Sequence, residues 1–352
     1  YSINDGVSWS VLGNVNQGVE WYNAAGITGL PGSSSPGLAN GSVNGWSGNT
    51  QTDWKTARFV LDNVKNLAGV GGRTRFRIVF GSLPLGPGSY DGFAIDNVQI
   101  SSRNRKILLE HFTNAGAPEV GAEDSFINNI ANTQTESIDI RYHASFPNPD
   151  DPLNEDNTAD PSARALFYGV SQIPRTTRDG EIFAAKYSTI DPLLIEYQKR
   201  SLKPSPFEIS ISFGNNPVEL LNIGANIRAV EDFNRPIIVR MAVIEKQIDG
   251  NTIGLTGSNF RNVVKRLVPD AAGTRVNVNW IKNVTQANVN QSYNPIGFYD
   301  KNQMAVVVFI QDETTKEIYQ AAYAEPTTIP GGITAIEDAL NDQIYLYPNP
   351  AK

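Results

Sequence analysis

The spacing of apolar positions divides the chain into segments. Over residues 1–101 the period is two. Tyr1-Ser2-Ile3 and Val7-Ser8-Trp9-Ser10-Val11-Leu12 alternate across Asn4-Asp5-Gly6, a trio that accepts positive φ, which predicts a hairpin. Residues 54–61, 74–80 and 93–100 predict further strands. Over 105–203 the pattern changes. Residues 106–112 form a buried-strand run, 117–132 carry helical spacing, and 137–142 predict a second strand. Asp160-Pro161 predicts an N-cap and first helical position, with Gly169 as the stop after Tyr168. Asp191-Pro192 opens another helix, to about Leu202. Over 204–325 period two returns, with Phe207, Ile209, Ile211 and Phe213 apolar. Residues 236–245 and 304–311 predict core strands, and 261–267 one or two helical turns stopped by Pro269. Residues 326–343, with Pro326, Pro330, Gly331 and Gly332, predict a linker. After it, Ile344-Tyr345-Leu346-Tyr347 predicts a short strand ended by Pro348 and Pro350, which lack backbone donors.

At 352 residues, two or three domains are expected. Apolar residues at 40% and charged residues at 18% suit a folded chain rather than a disordered one. The net charge of −7 and the lack of a basic stripe argue against nucleic acid as a partner. The chain has no cysteine, so disulfides, thiol catalysis and cysteine metal sites are excluded. No apolar run approaches the ~20 residues that span a bilayer, so no membrane span is expected. The chain opens inside strand-like Tyr1-Ser2-Ile3, without a methionine or signal segment, and is expected to be a piece of a longer precursor.

Three resemblances sharpen this picture. Tyr1 to Trp9, then Gly45-Trp46-Ser47-Gly48, then Gly92-Phe93-Ala94-Ile95-Asp96-Asn97-Val98 resemble MAM-like jelly-roll modules of bacterial surface proteins, here N-terminally incomplete. The order β-α-β-α-β-β-α over 105–203 is that of the thioredoxin fold. Leu108-Leu109-Glu110-His111-Phe112-Thr113-Asn114, Tyr142-His143-Ala144-Ser145-Phe146-Pro147 and Tyr168-Gly169-Val170-Ser171-Gln172-Ile173-Pro174 look like the thioredoxin-like outer-membrane-protein family of type IX secreting bacteria. Residues 262–270 and 308–312 resemble the immunoglobulin-like β-sandwich that follows in that family. The tail Tyr347-Pro348-Asn349-Pro350 resembles the start of a type A C-terminal sorting domain. The resulting expectation is a multidomain, mainly β protein. It has a partial jelly-roll β-sandwich at 1–101, a thioredoxin-like α/β domain at 105–203 and an immunoglobulin-like β-sandwich at 204–325. A linker at 326–343 and the start of the sorting domain at 344–352 complete it.

Family members often carry Cys-x-Pro-Cys at the start of the first helix of the thioredoxin fold. The aligned stretch here is Gly116-Ala117-Pro118-Glu119, a degenerate redox site without sulfur. Disulfide exchange passes through a mixed disulfide, so oxidoreductase activity is expected to be lost. Pro174 matches the fold's cis-proline. His111 and His143 end two parallel neighbour strands and are expected at one sheet end near Glu119. They form either a polar cluster or a repurposed metal or acid–base site. The acidic run 148–157 is expected to be a solvated loop. Asp5 and Asp96 are candidates for a structural calcium, and no other cofactor is expected. Of Trp9, Trp21, Trp46 and Trp54, Trp46 is the candidate glycan contact, the others being core fillers.

Together these readings imply a secreted, cell-surface protein without catalytic activity, in a structural or adhesive role. Its expected partners are the type IX translocon and attachment machinery, plus an unknown protein or glycan. The alternatives are a carbohydrate-binding accessory of a surface degradation system and an enzyme using the remodelled thioredoxin-like site.

Overall fold

A computed structural model describes residues 1–28, 43–48, 53–69, 71–81, 92–116, 121–134, 136–182, 190–214, 221–256 and 258–325. The first segment contributes little regular structure. β1 (Ala24–Ile27) pairs antiparallel with β2 (Val43–Gly45), and α1 spans Asp62–Ala68. Asp5 and Gly6 take the positive φ expected of the turn, and Tyr1 and Ser10 exchange backbone bonds of 2.7 and 2.8 Å. The strands expected over 54–61, 74–80 and 93–100 do not form as ladders among the described residues. Among the described residues, single bridges from Val19 to Arg58 and from Ser2 to Arg75 hold the first two runs, and no bridge reaches 93–100. Alternation shows which side chains favour burial, but it supplies no neighbour for the backbone. Phe76, Ile78, Phe80, Phe93 and Ile95 accordingly remain exposed.

The next elements are β3 (Ile107–Thr113), α2 (Gly121–Thr133), β4 (Ser137–His143), α3 (Pro152–Glu155), α4 (Ala159–Tyr168), β5 (Arg175–Arg178), β6 (Glu181–Ile182) and α5 (Ile190–Ser201). α4 begins one residue before Asp160, with Thr158 at the cap position. The Asp160 carboxylate is used elsewhere, accepting from Leu267 N at 2.8 Å and Asn157 Nδ2 at 2.9 Å. Gly169 ends the helix as expected, in the left-handed conformation that a side chain would disfavour.

The third segment supplies β7 (Phe207–Gly214), β8 (Leu221–Ala229), β9 (Ile237–Asp249), β10 (Asn259–Val268), β11 (Thr274–Val276), β12 (Gln286–Tyr293), β13 (Met304–Gln311) and β14 (Ile318–Ala324). β10 corrects the helical turns expected over 261–267. Its register against β9 slips between Val264 and Arg266, leaving Lys265 as an extra residue. The bulge brings Val264 and Leu267 to one face three residues apart, a spacing that mimics a helix.

The main sheet runs β14-β13-β9-β10-β4-β3-β5-β6, with β11 also on β9. β10 meets β4 in parallel at Val263 and Arg141, so one sheet crosses from the second segment into the third. A smaller antiparallel sheet, β12-β8-β7, packs over β9 and β13. β9 and β13 are therefore covered on both faces. Met241, Val243, Val306 and Val308 meet the small sheet, while Ala242, Ile244, Val307 and Phe309 meet β3, β4 and α4. Double burial explains why these strands read as nearly continuous apolar runs, interrupted in β9 by Arg240. The main sheet also curls, since Ile318 N donates to Asp179 O at 2.9 Å and brings β14 against the β5–β6 turn.

The junctions between segments are closed by hydrogen bonds. Buried Arg105 donates to Lys203 O at 2.7 Å, Pro204 O at 3.2 Å, Ile318 O at 3.0 Å and Asp179 Oδ2 at 3.0 Å. Gln320 receives Lys106 N at 2.8 Å and donates to Asn104 O at 2.6 Å and Phe207 O at 3.1 Å. Arg103 reaches Asp62 of the first segment and Glu136 of the second, at 2.9 and 2.6 Å. Trypsin is therefore expected to cut slowly at Arg103 and Lys106 in the native chain. Arg105→Ala should speed cleavage at these sites about tenfold or more by opening the junction locally. A digestion time course read by mass spectrometry checks this.

Candidate functional site

The stretch expected from the sequence to be a degenerate redox site begins at Gly116, where β3 leaves the sheet. Asn114 Nδ2 donates to Ala144 O and Asn148 O, both at 2.7 Å, and Gly116 N returns to Asn114 Oδ1 at 2.8 Å. A Cβ built on Gly116 would come within 2.4 Å of Asn148 Nδ2. The amide end of the Asn148 side chain thus stands where a side chain at 116 would begin. Ala117, Pro118 and Glu119 lie outside the described residues, as do Tyr347, Pro348, Asn349 and Pro350 and the whole of 326–352. The Ile173–Pro174 bond is cis, as expected.

Thr113 pairs with His143 and His111 with Arg141, so the two imidazoles share one face of the sheet, one step apart. Both are buried. His111 Nδ1 lies 2.7 Å from Thr176 Oγ1. His143 Nδ1 lies 2.8 Å from Asp151 Oδ2, while its Nε2 is enclosed without a hydrogen bond. The Phe260 ring stands edge-on at 5.7 Å. Such a dyad has the form of an oriented base, and His143 is 2% exposed. Among the described residues, no group of three histidine or carboxylate side chains is placed to hold a metal ion.

Asp151 overturns the reading of 148–157 as a solvated loop. It is fully buried, as are Asn154 and Asn157. Ala115 N and Leu153 N donate to its carboxylate at 2.8 and 2.9 Å. Asn154 Nδ2 donates to His143 O at 2.6 Å, and Asn157 Nδ2 to Lys265 O at 3.1 Å. The polar side chains of this run bond to other elements, so their polarity does not signal exposure. Burial alone would raise the Asp151 carboxyl. The hydrogen bond and charge of His143, with the two backbone donors, outweigh it and hold the group below the usual carboxylate range.

The most strongly coupled polar cluster was not legible beforehand. Glu110, in the middle of β3, is completely buried. Its carboxylate takes Arg164 Nε at 3.0 Å and Nη2 at 2.6 and 2.8 Å, and Tyr142 OH at 3.0 Å. Tyr168 OH also donates to it. Gln311 of β13 joins through Arg164 Nη1 at 3.1 Å and Tyr168 OH at 2.8 Å. Burial, then the Glu110 charge, pushes both tyrosines well up. Burial works against the Arg164 charge, but Glu110 more than offsets it and raises that group. Neighbouring Arg240, buried and repelled by Arg164, is brought down to about 10. The only sequence signal was a carboxylate inside a buried-strand run, where charge is rarely found unless paired.

The candidates in the first segment are separate. Asp5 pairs with Arg75 Nη2 at 3.0 Å, and Asp96 Oδ1 accepts its neighbour Asn97 N at 2.7 Å. Trp46 is 38% exposed, with its Nε1 on Glu20 O at 3.1 Å. Trp21 and Tyr22 both meet it edge-on, with centroids at 4.9 Å. Trp54, at 72%, is more exposed.

No family model and no curated protein matches the chain. Among solved structures, HBP35 of Porphyromonas gingivalis is similar with a TM-score of 0.51 and 15% identity, over 68% of this chain and 82% of that one. This likeness is one of fold alone. A domain of the outer membrane lipoprotein Omp28 from Porphyromonas gingivalis gives a TM-score of 0.25 and 14% identity, over 35% of this chain and 88% of that one.

Two outcomes are expected. Glu110→Gln should lower stability by about 3–5 kcal/mol in urea unfolding, because it strands the Arg164 charge in the core. Glu110→Leu with Arg164→Met should cost less than the single change. The second concerns acid. A carboxyl whose folded pKa is depressed stabilises the fold above its unfolded value of about 4, and that contribution disappears as pH falls through the folded value. Stability should therefore fall as pH drops below about 4. Asp151→Asn should be less stable at neutral pH and show a flatter acid limb in urea midpoints.

Proposed function

We propose that the protein is a non-catalytic structural or adhesive protein of the bacterial cell surface, exported by a type IX translocon. A single observation carries the non-catalytic part. The position where a thioredoxin-like oxidoreductase needs its first sulfur is a glycine, Gly116, in a chain without any cysteine. The strand order β4-β3-β5-β6, with one parallel and two antiparallel pairings, supports the thioredoxin-like frame. The β12-β8-β7 sheet over β9 and β13 supports the sandwich reading of the third segment. The resemblance of 347–350 to a sorting motif supports export. Hydrogen-bonded junctions suit a protein that holds a binding face at a fixed distance from its attachment.

Two rival readings remain distinct. A carbohydrate-binding accessory working through Trp46 draws on the partial exposure of that ring, but Trp21 and Tyr22 already occupy its surroundings. An enzyme at His111, His143 and Glu119 would have to open a sheet face on which both imidazoles are buried.

Two measurements test the proposal. In an insulin-reduction assay with dithiothreitol, the protein should not exceed the no-protein control, and turnover above it would overturn the non-catalytic reading. A reporter fused ahead of the complete native C-terminus should reach the surface only in a host with a working type IX translocon. Surface display without the translocon would overturn the export reading.

A further inference from the structure

We propose that the outward face of the β12-β8-β7 sheet is a binding face for a neutral polysaccharide. This deepens the adhesive reading and rests on it.

The register aligns the outward residues in rows across the three strands. Ser210, Asn226 and Asn288 form one row, with Asn226 Nδ2 on Asn288 Oδ1 at 2.8 Å. The next holds Ser212, Gly224 and Asn290, and the last Gly214, Asn222 and Ser292, where Ser292 Oγ donates to Asn222 Oδ1 at 2.8 Å. Every second residue along the strands faces the other way into the core, including Phe207, Ile223, Ile227 and Val289. The array is therefore fixed from beneath. With strands about 4.8 Å apart and alternate residues about 6.8 Å apart, these rows form a lattice about 10 Å wide and 14 Å long.

Its chemistry is unusual for a solvent face. Asparagine and glycine are depleted in strands, where threonine is favoured. Here Asn222, Asn226, Asn288, Asn290 and Gly224 occupy the outward positions of paired strands. Local choices that run against propensity are expected at functional sites. Gly224 has a visible role. A Cβ there would come within 2.4 Å of Ser212 Oγ and 2.9 Å of Asn290 Oδ1, so its absence lets both side chains lean over the central strand.

The ligand class follows from the groups displayed. Amides and hydroxyls each offer donors and acceptors, matching the hydroxyls of a sugar chain. The charged members, Glu208 and Arg228, sit together in one end row and are paired with each other. The face thus offers no excess charge to attract a polyanion. Among the described residues, the side chains of Ser210 and Asn290 make no hydrogen bond within the chain, while Ser210 and Asn290 are exposed. Those groups are available to a ligand, and their removal breaks no bond of the sheet.

The test is affinity electrophoresis of the full chain in gels containing soluble β-glucan, mannan or xyloglucan, with heparin as the anionic control. Retardation by at least one neutral polysaccharide is expected, persisting in about 0.5 M NaCl because no ion pairs are involved. Ser210→Ala with Asn290→Ala should weaken it about tenfold with an unchanged melting temperature, and Trp46→Ala less than about twofold. Retardation by no neutral polysaccharide would overturn the proposal. So would binding confined to heparin and lost in salt, or equal binding by a folded double variant. Loss in Trp46→Ala alone would place the ligand on the first segment and overturn it too. None of these outcomes bears on the insulin assay, so the non-catalytic reading stands or falls separately.

Discussion

A buried carboxylate with no water to solvate it must be met by donors from the protein, and Glu110 imposes that constraint on this fold. Its oxygens draw in Arg164 and Tyr168 from α4 and Tyr142 from β4, and through them Gln311 from β13. The apolar layer around the cluster, from Leu108 and Phe112 to Val307 and Phe309, belongs to the same elements. Apolar contact alone would let helix and sheet slide against each other. A bidentate guanidinium fixes their register, because its fork fits a carboxylate in few geometries. The seating of α4 against β3 and β13 depends on that fit.

Legibility in the sequence followed how locally each feature is determined. β9 and β13 could be read because double burial demands apolar residues at nearly every position. Gly169 could be read because its backbone conformation selects the residue. β10 was misread because the inserted Lys265 changes the parity of its apolar positions, and only pairing with β9 reveals the insertion. Asp151 was misread because the donors that bury it come from Ala115 and His143. Glu110 could be seen as a charge in a core strand, but Arg164 lies 54 residues away with nothing nearby to announce it.

The candidate site shows the same limit. The missing sulfur was visible in composition, and the shared face of His111 and His143 followed from parallel strands. Their enclosure did not, since it depends on Asp151, Phe260 and Thr176 from three other parts of the chain. The amide lattice on the small sheet was also invisible as a unit. Each strand shows only an alternation, and the rows exist only once β7, β8 and β12 are in register.

The Arg105 junction also sets the order of events during synthesis. Its guanidinium donates to Ile318 O across 213 residues of chain. At about 5–20 residues per second, a ribosome needs roughly 10–40 s to make that stretch. For that interval Arg105 lacks one of its acceptors and Lys106 N lacks Gln320, because β14 does not yet exist. The middle of the chain thus stays unfinished until almost all of residues 1–325 have emerged, and its completion is a late, long-range step rather than a local one.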